Sequence, residues 1–158
     1  MRIPAARVLP VAASLAVATA VCAIGPACAQ TTQSFAGSVK KVTGEVVLRR
    51  GADRLPVKEG MHLLQHDVLE TPAGASVGFI LEDGTRVAMG GNTTVEIERF
   101  LFDPGEGKLS LLLKLLRGVM VYVSGKMAQL SPDSVRVETP VGVVGLRGTE
   151  LAISLEAM

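Results

Sequence analysis

From residue 38 onward, apolar positions come in short runs that alternate with polar ones, and Gly, Pro, Asp or Asn cuts the runs every few residues. Alternation at period two puts one face of a strand in a core and the other in water. The clearest instance is Val77, Phe79 and Leu81, followed by Asp83-Gly84, a favoured tight-turn pair, and then by Arg86-Val87-Ala88-Met89, so the pattern predicts a hairpin. Val95 and Ile97 oppose Glu96 and Glu98 in the same way, and Val135/Val137, Val141/Val143 and Leu151/Ile153/Leu155 repeat the period. Strands are expected at 38–42 and 45–49 around Gly44, with a polar turn at 51–53, and shorter ones at 61–64 and 67–69. Residues 109–116, Leu-Ser-Leu-Leu-Leu-Lys-Leu-Leu, fit either one buried strand or two turns of amphipathic helix. A strand is favoured, because 118–123 continues with β-branched residues and Gly118 weakens a through-running helix. The chain therefore reads as all-β, a single domain built as a stack or sandwich of short strands.

The first residues follow another pattern. Arg2 and Arg7 precede an apolar run over 8–24 that contains Pro10, and Ala27-Cys28-Ala29 supplies an Ala-x-Ala cleavage signal. Residues 1–29 are thus expected to be a secretory signal peptide removed before Gln30, giving an exported protein. The run falls short of the roughly 20 apolar residues of a spanning helix, so no stable membrane span is expected after cleavage. The competing reading makes Cys28 a lipidated first residue. Removing residues 1–29 from the 158 leaves 129, enough for one core, with 30–37 a short linker and 38–158 the β domain. Both cysteines, Cys22 and Cys28, leave with the leader, so packing has to supply the stability.

Charge and aromatic content narrow the partners. Loss of Arg2 and Arg7 reduces the 16 basic residues to 14 against 15 acidic ones. A near-neutral mixed surface gives no electrostatic basis for binding nucleic acid or an anionic membrane. Tyr122 is the sole tyrosine, there is no tryptophan, and the phenylalanines are Phe35, Phe79, Phe100 and Phe102, so stacking platforms for sugars or single-stranded nucleic acid are few. The run Phe100-Leu101-Phe102 reads as buried packing or an exposed contact loop.

Candidate chemistry is sparse. His62 and His66 with Asp67 and Glu70 suggest a metal cluster only if the four-residue spacing lies on a helix, and the surrounding glycine and strand pattern opposes that. Ser38-Val39-Lys40-Lys41 matches Ser-x-x-Lys in form alone, because it lies in an expected strand and the companion motifs are missing. Residues 118–126 lack phosphate-loop spacing, and Met127 stands where Ser or Thr would be needed. No catalytic constellation, metal set or cofactor is expected.

In order along the chain, Gly44-Glu45-Val46, Gly60 followed by 67–71 (Asp-Val-Leu-Glu-Thr), Leu81-Glu82-Asp83-Gly84-Thr85, the 109–118 segment, 121–126 and Val137-Glu138-Thr139-Pro140 ending in Arg147-Gly148-Thr149 closely resemble the FecR-domain family. The resemblance implies a twisted β-solenoid-like stack and a non-enzymatic regulatory or binding module in envelope signalling. Members that regulate iron-citrate and siderophore uptake carry a cytoplasmic anti-sigma segment, a transmembrane helix and a further carboxy-terminal subdomain. This chain is expected to lack them and to act as a stand-alone module through an envelope partner, an inner-membrane regulator or outer-membrane receptor. The alternative is a structural scaffold of an envelope assembly. Within the closing segment, Arg147 between Leu146 and Gly148-Thr149 could brace turns with its multi-donor guanidinium or touch a partner. Thr139-Pro140 reads first as a strand terminator, and sheet edges offer backbone groups to a partner strand.

Overall fold

A computed structural model describes residues 34–146 and 150–155, all within the compact unit Thr32–Met158. It contains twelve strands: β1 (Phe35–Thr43), β2 (Val47–Arg50), β3 (Asp53–Pro56), β4 (His62–Leu64), β5 (Val68–Thr71), β6 (Ser76–Leu81), β7 (Arg86–Met89), β8 (Thr93–Asp103), β9 (Lys108–Val123), β10 (Val135–Thr139), β11 (Gly142–Gly145) and β12 (Glu150–Leu155). One helix of five residues, α1 (Lys126–Leu130), and a 3-10 turn at Pro132–Ser134 follow β9. The all-β single-domain expectation holds, as a curled and mostly antiparallel sheet in the form of a half-barrel.

The strand order β3-β2-β5-β8-β9-β7-β6-β1-β4 places β9 at the centre, and residues 109–116 are strand within it. Its first part pairs with β8 on one side and, in parallel, with β10 on the other. Its last part pairs with β7 and β12. One strand thus serves two halves of the sheet, which we call the β8 half (β3, β2, β5, β8, β10, β11) and the β7 half (β7, β6, β1, β4, β12).

The change of partners falls at Gly118, whose φ of +89° suits glycine and is strained for any other residue. A Cβ there would stand 2.3 Å from Thr93 Oγ1, so the close approach of β8 and β9 also requires a bare Cα.

The buried alternating residues of both halves belong to one core cluster, which holds Phe79 of β6 with Leu48, Leu69, Ile97 and Phe100 of the β8 half and Leu113 and Tyr122 of β9. Each such side chain contributes about 1.5–3 kcal/mol on burial.

Three local features differ from the sequence reading. β1 begins at Phe35, inside the segment 30–37 expected as a linker, because Ala36 packs fully into the core. The turn at 51–53 is tighter than expected, since Asp53 already opens β3, which carries exposed polar residues and no alternation to reveal it. The helix α1 interrupts the β pattern, where Met127 and Ala128 plug the core beside β9.

Candidate functional site

The polar residues that stand out in the sequence are buried at corners of the sheet, two of them where the chain passes from one half to the other and one at the β6–β7 turn. Between β4 and β5, the Asp67 carboxylate is wholly buried and accepts hydrogen bonds from Arg50 Nε (2.8 Å), Arg50 Nη2 (2.7 Å) and the Leu64 amide (2.8 Å). Arg50 Nη2 also donates to the His62 carbonyl at 3.0 Å. The two-point hydrogen bond to Asp67 is the main cause that raises the already high pKa of Arg50, against the opposing effect of burial. The Asp67 backbone continues the brace, its carbonyl receiving the Ile97 amide at 2.9 Å while the His66 amide donates to the Ile97 carbonyl at 2.7 Å.

A second knot joins β5, β8 and β9. Thr71 Oγ1 donates to the Gly90 carbonyl at 2.5 Å and accepts from the Thr93 amide at 3.1 Å. Thr93 Oγ1 accepts from the Val119 amide at 2.9 Å, directly beside Gly118.

A third knot holds the β6–β7 turn to the end of β9. Asp83 Oδ2 accepts from Thr85 Oγ1 at 2.6 Å, Asp83 Oδ1 from the Thr85 amide at 3.1 Å, and Thr85 Oγ1 in turn accepts from the Gly125 amide at 3.1 Å. The Tyr122 hydroxyl is buried nearby, and burial is the largest cause raising its pKa, with the Asp83 charge adding to the rise and hydrogen bonding toward Thr85 and Ser124 opposing it.

A family model described as FecR protein matches residues 67–157, more than half of the chain. The chain belongs to the FecR family. No curated protein and no solved structure matches it. FecR is a regulatory and signalling family rather than an enzyme family. In this FecR protein, Asp67, Thr71, Asp83 and Thr85 of the matched region are committed to holding corners, and β1–β4, which precede the match, complete the same sheet.

The outer surface carries whatever chemistry is left for partners, and its two halves are unlike. Across the β8 half, Arg54, Arg49, Val68, Glu96, Lys114 and Glu138 stand in one register row. Arg49 Nε lies 2.7 Å from Glu70 Oε1, Arg54 Nη2 3.6 Å from Glu70 Oε2, and Lys114 Nζ 3.0 Å from Glu98 Oε2. The hydrogen bond from Lys114 lowers the pKa of Glu98, whereas burial, followed by hydrogen bonding to Glu98, raises that of Glu96.

His66 brings an imidazole nitrogen within 4.8 Å of the Glu96 and Glu98 carboxylates. Lys114 already holds Glu98, so the group behaves as an ion-paired patch. Across the β7 half, the corresponding rows read Ser38, Ile80, Arg86, Val123, Glu150 and Lys41, Gly78, Ala88, Val121, Ala152. Lys40, Lys41 and Arg86 have no ion-pair partner among the described residues.

Of the residues singled out in the sequence, Thr139 and Pro140 form the exposed tip of the β10–β11 hairpin. Thr139 Oγ1 donates to the Gly142 carbonyl at 2.8 Å, which closes the turn. Arg147, Gly148 and Thr149 lie outside the described residues. His62 is not part of the His66 group, and its ring meets Phe35 edge-on with centroids 5.1 Å apart. Ser38 and Lys41 lie along the extended β1, where three residues cover about 10 Å rather than one helical turn. Phe100 is buried within β8 while Leu101 points out, so that run is strand and not a contact loop.

Arg50 and Thr93 do not stand out in the sequence because their roles depend on pairings 17 to 26 residues apart.

Proposed function

We propose that this FecR protein is an exported, non-enzymatic regulatory module, cleaved before Gln30 and working in the periplasm through an envelope protein partner. On this reading 1–29 is the signal peptide, and the functional domain, expected from residue 38, takes in the whole of β1 from Phe35. The observation that carries the proposal is where the family's polar residues go. Asp67, Thr71, Asp83 and Thr85 are buried and spent on backbone amides, hydroxyls and one arginine, which supports a rigid scaffold presenting surfaces rather than a reacting group. Among the described residues, no helix is long and apolar enough to cross a membrane.

In the signalling form of the proposal, the partner is an inner-membrane regulator or an outer-membrane receptor whose state the domain reports. A scaffold role is favoured by a different feature. Strand β11 pairs only with β10 among the described strands, and its tip exposes Val141 (82%) and Val143 (61%) beside Pro140, a surface suited to lasting association. Thr139 and Pro140 lie at that tip, and on this reading they serve, with Arg147, Gly148 and Thr149, as structural or partner-contact residues.

In-cell crosslinking of the carboxy-terminally tagged protein, with mass spectrometry of the adducts and of its own amino terminus, separates the readings. Capture of a membrane regulator or receptor in a signal-dependent manner, by a protein starting at Gln30, is expected. Constant stoichiometric capture of one assembly supports the scaffold, and a retained leader contradicts export with cleavage.

A further inference from the structure

The outer face of the β7 half carries a shallow groove of about 240 Å³, open along its length. Gly78 and Ala88, direct cross-strand partners, form its floor, and Ile80, Val121 and Val123 its walls. Lys40 and Arg86 line it as well. Gly78 has no conformational need to be glycine, because its φ lies outside the left-handed region and an added Cβ would meet only the Val87 carbonyl oxygen, at 4.0 Å. A glycine in the interior of a strand is unfavourable in itself and often marks a place where another molecule approaches closely.

We infer that this groove docks a protein segment that places one large apolar side chain over Gly78 and sets carboxylates against Lys40 and Arg86. The inference deepens the regulatory reading and rests on it for the partner being a protein. Charge complementarity selects the segment. Both cations lack ion-pair partners among the described residues, no carboxylate lines the groove, and Glu150 stands on β12, beyond Val123 from Arg86. A basic segment would meet two unpaired like charges, and an acidic one completes them. An apolar anchor in a desolvated hollow, ringed by polar contacts, is the usual energetic centre of a protein interface. A small apolar metabolite fits less well, since ligand pockets span roughly 300–1,000 Å³ and enclose most of the ligand surface.

The test is selection of random dodecapeptides displayed on phage against the purified full chain. Enriched peptides are expected to carry Leu, Ile, Phe or Trp next to Asp or Glu. The best of them, as a synthetic peptide, should lose at least about tenfold in affinity for Gly78→Leu, a variant expected to match or exceed the wild-type melting temperature. The pair Lys40→Glu with Arg86→Glu should turn the selection toward basic peptides. Basic or uncharged winners, peptides that bind Gly78→Leu unchanged, or a groove taken up by self-association of the chain would overturn the inference. In-cell capture of an envelope regulator that survives Gly78→Leu sinks the groove and leaves the regulatory reading. Selection of acidic-apolar peptides without any in-cell capture sinks the regulatory reading and leaves the groove.

Discussion

The two halves of the sheet bury the same kind of residue inside and present opposite surfaces outside. In the β8 half, the row from Arg54 to Glu138 carries both signs, and Glu70 and Glu98 take up Arg49, Arg54 and Lys114. In the β7 half, the equivalent row runs Lys41, Gly78, Ala88, Val121, Ala152, and its cations have no carboxylate partner. Exposed ion pairs of this kind contribute only about 0–1 kcal/mol each, so stability does not explain the difference. A row whose charges are satisfied, as those of Arg49 and Lys114 are by Glu70 and Glu98, has little to offer a partner, whereas unpaired charge around an apolar hollow does.

The comparison breaks most completely at Gly118, where the halves join. Gly118→Ala is expected to cost on the order of 3–5 kcal/mol, combining backbone strain at positive φ with a clash against Thr93, measured by urea unfolding. Because both halves share one core, a single transition is expected to move as a whole. The next largest effect sharpens the corner at Asp67. Arg50→Met strands a fully buried carboxylate and should cost about 3 kcal/mol or more. Asp67→Asn leaves an arginine whose side chain is 26% exposed to water and should cost less, about 1–3 kcal/mol. Equal losses would mean that water reaches the pair.

The smallest effect lies on the β8 surface. Glu96 has a folded pKa above its ordinary value of 4.5, so its contribution to stability falls as pH rises through that raised pKa. Glu98 is lowered, so its contribution is present above 4.5 and is lost as pH falls through its folded pKa. Glu96→Gln should therefore raise stability at neutral pH by a few tenths of a kcal/mol and remove the decline with rising pH, read from denaturant midpoints between pH 3 and 8. No change would show that solvent screens the Glu96–Glu98 pair.

Much of the fold was legible because alternation is a local property. Val77, Phe79 and Leu81 read as one buried face and are one, and Gly118 with its β-branched successors correctly tipped 109–116 toward strand. What could not be read was pairing at a distance. Asp67 was weighed as a metal-cluster residue, and only the fold supplies Arg50 across 17 residues. The contrast between outer faces was hidden for the same reason, since Ala88, Val121 and Ala152 are unremarkable in sequence and form a surface only in register. His66 likewise meets Glu96 and Glu98 only through the β4–β5 turn, where its φ of 69° is unusual for a residue other than glycine.

The most direct test of the unlike faces places a photo-crosslinking amino acid at Ala88 in one strain and at Glu96 in another, in cells carrying the otherwise native protein. Adducts with an envelope protein from Ala88 and none from Glu96 are expected. Equal adducts from both positions, or adducts from Glu96 alone, would contradict a partner-facing β7 half and a self-satisfied ion-paired row through Glu96.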